Sequence, residues 1–320
     1  MTDTVHLTEV GARDGLQNEA RHLSVAQRVE LIRRLSGCGL PSVEAGAFVS
    51  ARRVAAMAGS AEVLVALAGD TRSRYPVLVP NLRGFDAARA AGARDIAVFA
   101  SASEDFSRHN LNCGIAESLA RYADVCAAAR AAGLSVRGYV SCIAGCPYQG
   151  DVPAREVARV AAALYDMGCH EIALGDTLGR GTPKTILAAF DAAAAHLPRD
   201  RLAGHFHDTY GMAVANVYAA LEAGIRRFDA SVAGLGGCPF AAGASGNLAS
   251  EDLVYLLQGQ GLECGVDLQA LVDTAFFVCA LLERRPDSRV ARATGGASRE
   301  STWTRTSCGN LPPPDRPAAI

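Results

Sequence analysis

The chain has 320 residues, half of them hydrophobic and a fifth charged, with a formal net charge of −2. That composition supplies a large core and offers no basic field for a nucleic acid or an anionic membrane. Ten scattered cysteines make no CxxC pair and no compact disulfide framework, no run of about 18 apolar residues suits a membrane span, and the first residues lack a secretory pattern, so the expected setting is a reducing cytoplasm.

Short apolar, β-branched runs alternate along the chain with longer helical patterns. The strand candidates are Val5–Val10, Ser42–Ala45, Tyr75–Val79, Ile96–Phe99, Ser135–Val140, Glu171–Leu174, Leu202–Phe206 and Arg227–Ser231. Helix ends are marked between them. Ser24 and Gln27 have capping-box spacing ahead of Val25, Val29, Ile32 and Leu35. Pro153 opens a helix that stops near Gly168, and Thr182-Pro183 pairs an N-cap with a proline at the first helical position. Gly133 and Gly224 sit where a left-handed stop is expected. Eight strand–helix units in strict alternation predict a parallel sheet closed as a (β/α)₈ TIM barrel of the α/β class. An open doubly wound sheet is the rival, but no GxGxxG follows the first strand. Residues 1–290 are expected to hold the barrel and a C-terminal helical extension that includes Leu268–Leu282. The Ser-, Arg- and Pro-rich segment 297–320 reads as a disordered tail.

Barrel active sites form at the C-terminal ends of the strands, so the chemistry is sought there. His205-Phe206-His207 ends the seventh candidate strand. Positions i and i+2 of a strand share a face, so both imidazoles can face the axis and suit a divalent metal. The bland alternative is a pair of satisfied core histidines. Arg13-Asp14 follows the first strand and combines a hard carboxylate with a forked cation for a developing anion. Alone it would read as a surface pair or an Asp-Gly turn. Glu44, ending the second strand, is placed to orient Arg13. After the eighth strand comes a glycine-rich loop, Gly234 to Asn247, with Cys238 in its middle as a candidate proton donor or acceptor. Asn247 closes the loop and carries an amide oxygen. Cys142 and Cys146 have no zinc-type spacing and are read as structural.

These stretches together resemble the 3-hydroxy-3-methylglutaryl-CoA lyase family. The matching segments are GARDGLQNE (11–19), PVLVPNLRGF (76–85), VRGYVSCIAGCPYQG (136–150), GDTLGRGTP (175–183), HFHDTYG (205–211) and SVAGLGGCPFAAGASGNLASEDLVY (231–255). The resemblance implies Mg²⁺ or Mn²⁺ held by Asp14, His205, His207 and Asn247, with Arg13 at the enolate oxygen, Glu44 as its partner and Cys238 as the loop cysteine. It also implies an acyl-CoA substrate, cleaved to acetyl-CoA and acetoacetate in leucine degradation and ketone-body formation, and a homodimer. Either Asp14 or His205 would take the hydroxyl proton. The family's Thr-Ser-Phe and Pro-Lys-Trp runs are replaced by Ala45-Gly46-Ala47-Phe48 and Ala51-Arg52-Arg53, and a serine by Ala173. The substitutions leave open a related substrate with a different C3 substituent. An acyl-CoA condensing enzyme of the isopropylmalate synthase type is the other enzymatic alternative.

Overall fold

The computed structural model describes residues 4–237 and 246–295. Its strands are all parallel: β1 His6–Glu9, β2 in two pieces at Ser42–Val43 and Gly46–Ala47, β3 Val77–Leu78, β4 Asp95–Ser101, β5 Ser135–Ser141, β6 Glu171–Asp176, β7 Leu202–Phe206 and β8 Arg227–Ala230. The first piece of β2 pairs with β1, and the second pairs with β3. Between them Glu44 N donates to Glu9 O on one side and Ala45 N donates to Pro76 O on the other, at 2.8 and 2.9 Å. The two pieces are therefore one strand that hands its bonds from one neighbour to the other. With β1 also paired to β8, the sheet closes on itself as an eight-stranded barrel.

The local signals act as expected. Ser24 Oγ accepts from Gln27 N at 3.2 Å and Gln27 Oε1 accepts from Ser24 N at 2.9 Å, completing the capping box of the helix Val25–Gly37. Gly133 and Gly224 take φ of +70° and +88°. Pro153 caps the helix Ala154–Asp166, and Thr182 precedes Pro183–Ala194. The strand bounds differ in physically intelligible ways. β3 is shorter than its apolar run because Pro76 and Pro80 bracket it and supply no N–H. β4 runs past Phe99 because Ala100 and Ser101 still pair with Val140 and Ser141. Beyond the eight-unit cycle lies the helix Leu268–Leu282, which lays Phe277 under the Arg34 guanidinium at 4.1 Å and fixes Asp267 N to Cys38 O. No helix among the described residues is long and apolar enough to cross a membrane. The tail, 297–320, lies outside the described residues.

Candidate active site at the strand ends

After β1 the chain makes a single turn of π-helix, Gly11–Gly15, closed by Gly15 N donating to Val10 O at 3.1 Å. Such wide turns place consecutive side chains on one rim. Here they bring Arg13 and Asp14 into the same space. Gly15 is required by close approach, since a Cβ there would lie 2.7 Å from Ser231 Oγ. Arg13 Nε donates to Glu44 Oε2 and Arg13 Nη1 to Asp14 Oδ1, both at 2.6 Å. Glu44 sits at the break in β2 and is fully buried. The expected Arg13–Glu44 pair is thus present.

Two strands along the sheet from β1, β7 and the residue after it turn His205 and His207 inward with ring centroids 5.5 Å apart. Their Nε2 atoms lie 3.9 and 4.0 Å from Asp14 Oδ2. Asp14, His205 and His207 form a group whose potential ligand atoms all lie within 4.8 Å of one another. Asn247 Nδ2 donates to Asp14 Oδ2 at 2.9 Å and to Leu235 O at 3.1 Å. All the sequence-selected residues within the described chain therefore converge. Cys238 lies outside the described residues. Gly237, the residue before it, lines the same cavity and accepts from Asn18 Nδ2 at 2.9 Å. A Cβ on Gly246 would lie 1.9 Å from Gly236 O, so the loop's two stems touch at the cavity mouth. Cys142 and Cys146 are buried against Phe106 and take no part in the site.

The donor set fits a divalent cation. Burial would raise the Asp14 carboxyl, but Arg13, then His205, His207 and the Asn247 amide, hold it well below the usual carboxylate range. Burial, with His205 and Arg13 nearby, brings His207 down to about 4 against the pull of Asp14. An ionised carboxylate beside a neutral imidazole is the protonation state a metal needs. His207 Nδ1 is moreover buried and meets no hydrogen-bond partner among the described residues.

Three functional positions escaped the sequence reading. Arg137 and Tyr139 on β5 and Asp229 on β8 are buried inside the barrel. Arg137 Nη2 and Nη1 donate to Asp229 Oδ1 and Oδ2 at 2.6 and 3.0 Å, and its Nε donates to Glu171 Oε1 at 2.6 Å. Arg137 Nη1 also donates to the Tyr139 hydroxyl, which donates to Glu44 Oε1 at 2.9 Å. Burial, with Asp229 and Glu44 nearby, pushes the Tyr139 phenol well above its ordinary value, so it remains a donor. Removing Arg137 would leave the buried Asp229 without its cation at a cost of about 3–5 kcal/mol, while Glu171 keeps Arg227 Nη1 at 2.9 Å. The missed signal was the period-two pair Arg137-x-Tyr139 in a strand otherwise buried, and an aspartate inside the apolar β8 run.

Arg13, Asp14, Tyr139, His205 and His207 floor a cavity of about 970 Å³. Its walls include Val49, Leu78, Phe99, Phe106 and Tyr122, and its rim Arg53, Asn110 and Arg121. The volume suits a long ligand carrying both apolar and anionic parts.

Residues 4–278 match the HMGL-like family model. A hydroxymethylglutaryl-CoA lyase from Pseudomonas mevalonii is 55% identical over 294 residues, covering 92% of this chain and 98% of the relative. The Pseudomonas aeruginosa 3-hydroxy-3-isohexenylglutaryl-CoA/hydroxy-methylglutaryl-CoA lyase is 53% identical over 289 residues, 90% of this chain and 96% of the relative. Among solved structures, hydroxymethylglutaryl-CoA lyase from Pseudomonas aeruginosa superposes with a TM-score of 0.89 at 52% identity, covering 92% of this chain and 98% of that one. An HMG-CoA lyase from Acinetobacter baumannii, in complex with coenzyme A and 3-methylmalate, gives 0.87 at 33% identity, covering 97% and 98%.

Proposed function

We propose, on the premise that this chain belongs to the HMGL-like family, that it is a divalent-metal-dependent carbon–carbon lyase splitting 3-hydroxy-3-methylglutaryl-CoA into acetyl-CoA and acetoacetate. The observation that carries the reading is the convergence of Arg13 with Asp14, His205 and His207 on the floor of one large cavity. Asp14, His205 and His207 would hold the cation, Mg²⁺ or Mn²⁺. Asn247 would join them, its amide oxygen replacing the amide nitrogen that now faces Asp14. Once bound, the cation supplies Lewis-acid polarisation that makes a substrate hydroxyl more acidic.

The protein's own groups carry the remaining steps. The C3 hydroxyl loses its proton to Asp14 or, where its Nε2 is not holding the cation, to His205. The C3–oxygen bond becomes a carbonyl as the C2–C3 bond breaks, and the electron pair moves to the thioester oxygen. Arg13, held by Glu44, stabilises that enolate oxygen. Cys238 returns a proton to C2 and completes acetyl-CoA, while the ketone fragment leaves as acetoacetate. The loop stems over the cavity would keep bulk water from the enolate.

A second substrate, with a longer apolar branch at C3, is favoured by the apolar wall of Leu78, Phe99, Phe106 and Tyr122 and by the dual name of the Pseudomonas aeruginosa relative. Of the departures noted in the sequence, Ala45, Ala47 and Ala173 are buried in the core, while Arg53 lines the cavity. The decisive experiment incubates the chain with a panel of 3-hydroxyglutaryl-CoA thioesters differing at C3, with Mg²⁺ or Mn²⁺. Equimolar acetyl-CoA and 3-oxo acid are expected, and release of neither from any member overturns the reading. We extend the proposal to a cytoplasmic homodimer acting in leucine degradation and ketone-body formation. The eight cysteines among the described residues form no disulfide with one another, which supports a reducing compartment. Light scattering tests the dimer.

A further inference from the structure

We propose that Asp229 is a positioning residue that fixes His205 as the tautomer protonated on Nδ1, and that Arg137 holds Asp229 in place to do so. The inference deepens the lyase reading and rests on it for its catalytic consequence. His205 and Asp229 are register partners on adjacent strands, so their side chains leave the sheet side by side. His205 Nδ1 lies 3.0 Å from Asp229 Oδ2. Both Asp229 oxygens accept from the Arg137 fork, and Asp229 is buried with no access to water. A carboxylate gripped by a guanidinium in this way accepts and does not donate. The proton on that contact therefore belongs to His205 Nδ1. Nε2 is left with its lone pair pointing at the cavity floor, 3.9 Å from Asp14 Oδ2.

His207 supplies an internal control two residues away. Its Nε2 faces the same carboxylate at 4.0 Å, but its Nδ1 has no partner among the described residues. Of two neighbouring imidazoles facing one carboxylate, only His205 is oriented from behind by a described residue. The same Arg137 Nη1 also donates to Tyr139, whose hydroxyl donates to Glu44, which receives Arg13 Nε. One guanidinium therefore supports both an imidazole that would hold the cation and the group that would stabilise the enolate.

The test reads the tautomer directly. Long-range ¹H–¹⁵N correlation spectra of the metal-free chain, labelled in its histidines, report which ring nitrogen carries the proton, with His205→Gln and His207→Gln for assignment. The expectation is Nδ1–H for His205. Asp229→Asn presents an amide N–H to one of its two neighbours, which shifts the population toward Nε2–H at His205 and leaves the His207 signals unchanged. Mn²⁺ affinity, measured by calorimetry without substrate, should fall about 10- to 100-fold in Asp229→Asn. An Nε2–H His205 in the unsubstituted chain overturns the proposal. So does an Asp229→Asn chain of native thermal stability with unchanged Mn²⁺ affinity and spectrum. Neither measurement uses a thioester, so a failed lyase assay leaves this result readable.

Discussion

Arg13, Glu44, Tyr139, Arg137, Asp229 and His205 form one connected string through the barrel interior, every link no longer than 3.0 Å. Facing it, His207 leaves Nδ1 without a partner among the described residues, Asn247 reaches Asp14 from a loop stem, and the backbone at Gly236 takes φ of +107° before the chain enters the Cys238 segment. The first half is set by strand register and is finished when the barrel closes. The second half has polar capacity in reserve and is finished by what binds and by how the loop sits. Electrostatic stabilisation gains from groups that need not reorganise, and proton return to a carbon needs a positioned general acid. Under the proposed mechanism the first half would carry the enolate-stabilising work, and the protonation step would fall to the loop.

That division can be broken by substitution. Cys238→Ala should lower kcat by roughly 10²–10⁴-fold, the range for loss of a general acid, with Mn²⁺ affinity unchanged. Steady-state kinetics beside metal titration checks this, and wild-type turnover would remove the loop from the chemistry. Arg13→Ala should cost about 10²–10³-fold in kcat, and Arg13→Lys should recover only part of it because an ammonium cannot serve Glu44, Asp14 and the enolate through one planar fork. A lysine variant of full activity would show that charge alone suffices. Glu44→Gln should have a smaller effect, about 10-fold to 100-fold in kcat, since it acts through Arg13. If it weakened metal binding more than turnover, the string would be serving the metal side instead.

How much of this was open to sequence reading follows the same line. Barrel class came through because β-branched runs and capped helices repeat, and each signal is local: Ser24 with Gln27, Thr182 with Pro183, Gly133 and Gly224. His205 and His207 were legible because strand periodicity places them together, and Arg13-Asp14 because they follow a strand. The Arg137–Asp229 contact was not legible. It spans 92 positions and depends on closure of the barrel, which no local pattern states. The π-turn at Gly11–Gly15 was equally hidden, because the close approach of Gly15 to Ser231 joins residues distant in sequence that meet only when β1 and β8 pair. The split of β2 around Glu44 arises from exchanging one hydrogen-bonding neighbour for another, which a single strand's pattern cannot show.

The smallest predicted effect lies at the junction of the two halves. Glu9 Oε1 accepts from Gly11 N at 2.7 Å at the start of the Arg13 turn and from Val232 N at 2.9 Å at the base of the loop. Glu251 accepts Ala233 N with both oxygens, at 2.9 and 3.2 Å, where the backbone takes φ of +61°. Burial, with Asp229 nearby, pushes Glu9 up to about 7, and burial, with Glu9 and Asp252 nearby, pushes Glu251 up to about 8, each against its backbone donors. Both are raised above the ordinary value of 4.5, so the folded chain binds more protons than the unfolded chain between that pH and these values. The stabilisation is fully present below pH 4.5 and is lost as pH rises to 7 for Glu9 and 8 for Glu251. Thermal unfolding of the metal-free chain should therefore occur at a lower midpoint at pH 9 than at pH 6. Glu251→Gln keeps an acceptor for Ala233 N but cannot ionise, so it should flatten that slope without moving the midpoint greatly at pH 6. An unaltered slope would mean that Glu251 is already ionised in the folded chain, and the loop base would then be held by charge rather than by a neutral acid.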